Sequence, residues 1–375
     1  MKKLSLLYIL LVILFLGCNQ HNRNSETISF ESAITESNRL IDSLQQNGKI
    51  SGIDVAVSIN GEIVWSEGFG VADLEHNSPV IPGKTRFRIG SVSKPLTAAA
   101  VGKLMDIGKI NLDSPVQTYV SYFPIKKYPI SVRQIAGHVA GIRHYRGNEF
   151  LKKNRYNSVE SSIAIFSNDS LLFEPGSQFS YSSYGFNLLS AVIEGASKEN
   201  FLLYIQREVF SPLGMNSTCP DKNDSIIVNR TSFYQLDSLS NIINAPYVDN
   251  SYKWASGGFL STTHDLIKFG EAHLNPGFLS ATTLKELTTS QVLNNGDSTG
   301  YGIGWFSSVG NKIKTFGHGG GSIGGITAFR IYPEEKVIIV MLSNSSNTKY
   351  GNVVDRIAKM FLKAKNKQTL LNKHL

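Results

Sequence analysis

The clearest pattern along the chain is an alternation of period two. Ile53, Val55, Val57 and Ile59 are apolar, and Asp54, Ala56, Ser58 and Asn60 fall between them. That spacing predicts a strand with two unlike faces. Asn60-Gly61 supplies the two positive-φ residues of a tight hairpin turn, so Glu62 to Trp65 is predicted to return as the partner strand. Before this hairpin, Ile28, Ile34, Leu40, Ile41 and Leu44 fall near one face of a helix. The middle of the chain reads as mainly helical: a stripe of Leu96, Ala100, Leu104 and Ile107, then Phe186 to Gly195 and Phe201 to Phe210. Strand patterns return at Lys312 to Phe316, Thr327 to Tyr332 and Val337 to Leu342, with a polar turn at Pro333 to Lys336. A last helix is predicted over Val353 to Leu362. Strands at both ends with helices between them predict an α/β fold. One antiparallel sheet is built from both termini and flanked by helices, with an all-helical lobe inserted in the middle.

The amino terminus breaks this pattern. Lys2 and Lys3 precede an apolar run from Leu4 to Leu16, too short for the roughly 20 residues of a membrane span. Residues 1–17 therefore read as a secretory signal. The run ends in Phe15-Leu16-Gly17-Cys18, which resembles a bacterial lipobox and makes Cys18 the expected lipid attachment site. Residues 18–27 are polar and read as a tether. The main domain is expected over 28–365, with a basic tail over 366–375. The expected location is the cell envelope of a bacterium, outside the cytoplasm, with the lipid as the membrane anchor.

Composition narrows the function. At 41% hydrophobic and 18% charged residues the chain can bury a large core. Its two cysteines, Cys18 and Cys219, leave no disulfide framework. The net charge of +8 is spread out, with part of the excess at Lys363, Lys365, Lys367 and Lys373. Without an Arg-rich run or aromatic–basic interleaving, no nucleic-acid partner is expected. Oligomeric state is not legible.

Three segments carry candidate chemistry. In Phe87-Arg88-Ile89-Gly90-Ser91-Val92-Ser93-Lys94-Pro95, Ser91 and Lys94 are three apart and share a helix face. A serine hydroxyl needs a base within hydrogen-bond reach, and an amine serves once burial or a nearby cation lowers its pKa. Pro95 is tolerated only in a first turn, so the helix must start near Ser91. That places the Ser91 N–H among the unpaired donors of a helix start, available to an oxyanion. The spacing recurs at Ser346-Asn347-Thr348-Lys349, which reads as a loop because only the final helix follows it.

The second segment is Pro175 to Gly185, containing Tyr181-Ser182-Ser183. A tyrosine there can relay protons if a cation lowers its pKa. The third is Gly317-His318-Gly319-Gly320-Gly321, just after a strand, where glycines allow a backbone N–H to approach a substrate.

The order Ser-x-x-Lys, Tyr-x-Ser, His-x-Gly resembles the penicillin-recognising serine hydrolases: class C β-lactamases, D-specific peptidases and related esterases. Gly137 to Ile142, Ala255 to Thr262 and Tyr301 to Trp305 support the resemblance, and His138 to Tyr145 is most similar to the mitochondrial serine β-lactamase-like branch. The resemblance implies Ser91 as nucleophile, Lys94 as its base and Tyr181 as proton relay. It implies His318 and Ser183 as substrate-binding residues, and Gly321 as the strand residue completing the oxyanion hole with Ser91. It also implies acyl-enzyme hydrolysis of a small-molecule or peptide substrate, without cofactor or metal. Ser183 stands where class C enzymes have Asn, and His318-Gly319 where β-lactamases have Lys-Thr. Those departures favour a peptide, including one with D residues, or an ester. Two alternatives remain: β-lactamase or penicillin-binding activity, and a non-catalytic protein that binds muropeptides or a partner.

Two other readings are weaker. Gly320-Gly321-Ser322-Ile323-Gly324 imitates the nucleophile elbow of α/β-hydrolases, but no Asp and His follow it in the required order. The six-residue spacing of His138 and His144 fits no familiar zinc pattern and reads as structural histidines bonded to backbone.

Overall fold

The computed structural model describes residues 30–310, 313–346, 348 and 350–371. The signal segment, Cys18, the tether, Lys349 and the last four residues lie outside the described residues.

Helix α1 (Glu31–Gly48) leads into strands β1 (Gly52–Ile59) and β2 (Glu62–Asp73). Asn60 and Gly61 take the expected left-handed conformations, with φ of 55° and 88°. β2 runs well past Trp65 because it keeps pairing with β1 as far as Gly52↔Gly70. A short β3 (Ser78–Pro79) closes that edge. At the other end of the chain lie β4 (Phe306–Gly310), β5 (Ile313–Ser322), β6 (Gly325–Tyr332) and β7 (Val337–Ser343). The sheet order is β3-β2-β1-β7-β6-β5-β4, antiparallel throughout. β1 and β7 join the two ends of the chain, from Ile53↔Ser343 to Ile59↔Val337.

The period-two pattern of β1 sorts its side chains between two cores. Ile53, Val55, Val57 and Ile59 pack with Ile41 of α1 and with Ile357 and Phe361 of the last helix, α4 (Val353–Leu371). Ala56 belongs to the opposite face, whose core continues into the inserted lobe. The alternation in isolation implies one polar face, yet every residue of β1 is buried. The helix Thr263–Glu271 covers that second face, and Asp54 and Ser58 are held beneath it. α4 also extends beyond Leu362 to Leu371, so residues 366–371 belong to the helix.

Asp54 is a consequence of that burial. One of its oxygens accepts from the Gly83 N–H and the Thr263 hydroxyl, each at 3.0 Å, and the other has no partner. Burial raises its pKa to about 7, opposed by those two hydrogen bonds. The folded state thus holds a proton that the unfolded chain releases near its ordinary value of about 3.9. The stabilisation is complete below about pH 4 and is lost as pH rises through about 7. Asp54→Asn removes this dependence. Between those limits the variant should gain on wild type by up to about 4 kcal/mol, since each tenfold change in proton affinity is worth about 1.4 kcal/mol. Urea unfolding at both pH values measures it; parallel pH dependences for the two proteins would contradict the assignment.

The insert is largely helical but not all-helical as expected. It carries two small sheets, one of Phe87–Arg88, Phe259–Ser261 and Cys219–Pro220, the other pairing Tyr234–Leu236 with Ile242–Asn244 and Ser345–Ser346. The second copy of the Ser-x-x-Lys spacing therefore begins in a strand and not in a loop. The centre of the insert is helix α2 (Ser93–Asp106). It shows more than the single stripe expected, since Leu96, Ala98, Ala99, Ala100, Val101 and Leu104 are all fully buried. Ile107, assigned to that stripe, lies just past the helix and is exposed. A helix apolar on all sides is a central helix. It fixes the residues at its amino end.

Candidate active site

Ser91 sits in a 3-10 turn, Gly90–Val92, that feeds directly into α2. The Ile89 N–H donates to the Phe259 carbonyl at 3.1 Å, tying the turn to the small sheet. On its other side the turn rests against β5. Gly90 has φ of +50°, and a Cβ there would stand 2.6 Å from the Gly321 carbonyl oxygen. A Cβ on Gly320 would stand 2.1 Å from the Ile89 carbonyl oxygen. Only glycines let strand and turn approach this closely.

One turn on, Lys94 is fully buried. Its Nζ lies 3.0 Å from Ser91 Oγ, 3.2 Å from Ser183 Oγ and 2.8 Å from the Ser256 carbonyl. Burial pushes its pKa well below the ordinary lysine value, and the neighbouring Lys253 adds to the effect. In the neutral form, two N–H bonds reach Ser256 and Ser183, and the lone pair faces the Ser91 hydroxyl. That is the geometry of a base poised on a nucleophile.

The second motif is positioned by two histidines. Ser182 caps helix α3 (Ser183–Ser197), accepting from the Gly185 N–H at 3.1 Å and donating to the Arg143 carbonyl at 2.7 Å. His138 Nδ1 accepts the Ser182 N–H at 3.1 Å, and His144 Nδ1 accepts the Ser183 N–H at 3.0 Å. Burial holds both rings neutral, with the His144 pKa lowered to about 4. Both are backbone-bonded histidines, as the sequence spacing implied. Ser183 is spent on Lys94, so it helps to orient that amine.

Tyr181 is brought beside the pair, but not as a cation-activated phenol. The Lys94 Nζ stands 4.8 Å from the centre of its ring, not on its hydroxyl. Burial raises the phenol pKa, with Ser91 drawing it partly back, and its oxygen has no hydrogen bond of good geometry. Tyr181 is a neutral O–H donor beside Ser91.

His318 is placed elsewhere. The glycine-rich third motif does not follow a strand; it lies within β5, paired with β6 from Gly317↔Arg330 to Gly321↔Ile326. Successive side chains of a strand point to opposite faces. Gly319 and Gly321 face outward, whereas His318 and Gly320 are buried. His318 Nδ1 is 2.6 Å from the Gly319 carbonyl, and its Nε2 is 3.0 Å from the Tyr301 hydroxyl. A carbonyl only accepts, so Nδ1 carries the proton and Tyr301 donates to Nε2. Burial lowers the His318 pKa to about 3, with Lys94 contributing. A substrate-gripping, pH-sensing His318 does not fit this arrangement, because both ring nitrogens are committed to the protein.

Gly321 lies at the cavity edge. A Cβ there would meet nothing within 4 Å, so this backbone borders open space beside the Ser91 turn. Ser91, Tyr181, Ser183 and Gly321 share the wall of one cavity of about 560 Å³, a volume suited to a small ligand. Ser322, the serine of the imitation elbow, is buried in a strand–turn–strand hairpin, and among the described residues its hydroxyl has no hydrogen-bond partner.

Sequence reasoning missed Ser256, whose carbonyl orients Lys94, and Lys253, which also lines the cavity. Both belong to or adjoin the stretch Ala255 to Thr262, but nothing local distinguishes Lys253 from a surface lysine.

Fold and site together define the β-lactamase and DD-peptidase-like class, in which a serine and a lysine meet between a helical lobe and an antiparallel sheet. The chain belongs to the Beta-lactamase family, whose model matches residues 38–360. It is 33% identical to the serine beta-lactamase-like protein LACTB, mitochondrial, of Bos taurus, over 82% of this chain and 73% of that protein. It is 25% identical to penicillin-binding protein 4* of Bacillus subtilis, over 86% and 74%. Its fold matches the octameric penicillin-binding protein homologue from Pyrococcus abyssi with a TM-score of 0.77, at 25% identity over 88% and 77% of the two chains.

Proposed function

We propose that this chain is a serine hydrolase that forms an acyl-enzyme on Ser91 and acts on peptide or ester substrates. The observation that carries this reading is the buried Lys94 amine, 3.0 Å from the Ser91 hydroxyl and open to the cavity through it. Ser91 Oγ attacks the substrate carbonyl, and its proton passes to the Lys94 lone pair. The negative charge that develops on the carbonyl oxygen is met by the N–H groups of Ser91 and Gly321. As the carbon–heteroatom bond breaks, Tyr181 gives its proton to the leaving group and regains one from Lys94. Water then attacks the acyl-Ser91 ester, losing a proton to the Lys94 amine; as the ester C–O bond breaks, the resulting ammonium returns that proton to Ser91 Oγ, which restores the starting state.

The cavity lacks the ammonium and hydroxyl side chains that Lys-Thr in the third motif gives β-lactamases: His318 faces inward and Gly319 has no side chain. That supports peptide or ester substrates over β-lactams. The test is turnover of a panel of esters and of D- and L-residue peptides by wild type and Ser91→Ala. At least one substrate should be lost by about 10³-fold or more in the variant. Equal turnover by both proteins, or none by wild type on any panel member, sinks the reading.

A further inference from the structure

Lys253 ends the short turn Ser251–Lys253 that precedes the helix Trp254–Gly257. Its side chain is 2% exposed, and what remains open borders the Ser91 cavity. Its Nζ lies 4.0 Å from the centre of the Phe150 ring, 5.4 Å from that of Tyr252 and 6.0 Å from that of Tyr145. Among the described residues it makes no hydrogen bond and no ion pair.

The carboxylate that attracts it, Asp221, is already committed. Asp221 accepts from Arg88 Nε at 2.6 Å and Asn250 Nδ2 at 2.8 Å, and pairs with Arg230 at 3.5 Å. No acidic residue lines the cavity; its other polar side chains are serine and tyrosine hydroxyls and the neutral His144. Burial, with Arg88 adding to it, holds Lys253 at a pKa of about 7. Aromatic faces attract an ammonium but accept none of its hydrogen bonds in the ordinary geometry. A buried amine with unmet donors is costly, and the acceptor can enter only from the cavity.

We propose that Lys253 receives a carboxylate of the substrate, so that the cavity selects acyl donors carrying an anionic group beside the walls formed by Phe150 and Tyr145. This rests on the reading of the cavity as an acyl-transfer site. The role is separate from that of the third motif, whose only ionisable side chain, His318, lies beside Tyr181 with both ring nitrogens bonded to the Gly319 carbonyl and the Tyr301 hydroxyl and does not line the cavity. A carboxylate matches the site because a charge-assisted N–H···O⁻ bond satisfies a donor that the rings leave unmet. Its arrival also favours the ammonium form, so binding takes up a proton when Lys253 starts neutral. If Lys253 acted only by depressing the pKa of Lys94, it would affect all substrates alike.

The test uses two fluorophosphonates of equal chain length, one ending in a methyl group and one in a carboxylate. Rates of labelling at Ser91 are followed by intact mass. In wild type the carboxylate probe should react faster than the methyl probe by about tenfold or more. Lys253→Met should lower that ratio by at least about tenfold, and Lys253→Arg should keep the preference for the carboxylate probe. A wild-type ratio of one or less overturns the proposal without any variant, as does a ratio unchanged in Lys253→Met. Failure of wild type to label with either probe removes the acyl-transfer reading and this proposal with it. Labelling with the wrong ratio removes this proposal alone.

Discussion

Lys94→Met should lower the rate of acylation by about 10³-fold or more, the upper range for removal of a positioned base. The same change should leave the fold standing. A buried amine is held in its neutral form at a cost relative to the unfolded chain, where lysine is protonated at neutral pH. Replacing it with an apolar chain of similar length removes that cost. Against this stands the Ser256 carbonyl, which loses its 2.8 Å donor. An orphaned buried acceptor costs about 1–3 kcal/mol. The two effects oppose each other, so stability in urea should change far less than the rate does. Single-turnover acylation measured beside urea unfolding separates the two. Near-normal acylation would assign the base to another group, and loss of rate that merely tracks unfolding would make Lys94 structural.

The second large effect is expected at Gly320, which carries no chemistry. A Cβ there would stand 2.1 Å from the Ile89 carbonyl oxygen and 3.1 Å from the Thr327 Cβ. Backbone on one side and a strand on the other leave no flexible side chain to yield. Gly320→Ala must therefore push β5 away from the Ser91 turn. The two N–H groups proposed as oxyanion donors, those of Ser91 and Gly321, belong to these two segments, so their separation changes with the displacement. A misplacement of about 1 Å costs about 10²-fold in rate, and kcat should fall by that much or more. Gly319→Ala is the control: one residue away on the opposite face, its Cβ would have only the Thr327 carbonyl oxygen near, at 4.0 Å. It should stay close to wild type. Equal effects of the two substitutions on kcat would mean that the contact between strand and turn does not set the oxyanion geometry.

These two positions show which parts of the molecule are legible in sequence. The hairpin at Asn60-Gly61 and the start of α2 near Pro95 are set by local backbone chemistry, and each falls where the residues place it. The meeting of Ser91 with Lys94 is also local, since residues three apart share a helix face. The closure of the sheet by β1 and β7 follows from the period-two alternation of β1 at one end of the chain and the unbroken apolar run Val337 to Leu342 at the other.

What sequence could not supply depends on partners remote along the chain. The run Gly317 to Gly321 has no strand propensity of its own; it is a strand because β6 pairs with it. Once it is a strand, parity decides that His318 turns inward and Gly321 borders the cavity, so a single-residue register reverses two roles. Asp54 and Ser58 look like solvated alternates until the helix Thr263–Glu271 covers them. Lys253 looks like a surface lysine until Phe150, 103 positions earlier in the chain, is found against its amine.

The central claim is that Ser91, and no other serine, carries the acyl group. It is tested most directly by mapping the adduct of a neutral fluorophosphonate after tryptic digestion. Because Pro95 blocks cleavage after Lys94, the peptide Ile89 to Lys103 stays whole and holds both Ser91 and Ser93. Fragmentation should place the adduct on Ser91, with none in Ser91→Ala and a much slower appearance in Lys94→Met. An adduct on Ser93 or Ser322, or labelling that survives Ser91→Ala, would contradict the account.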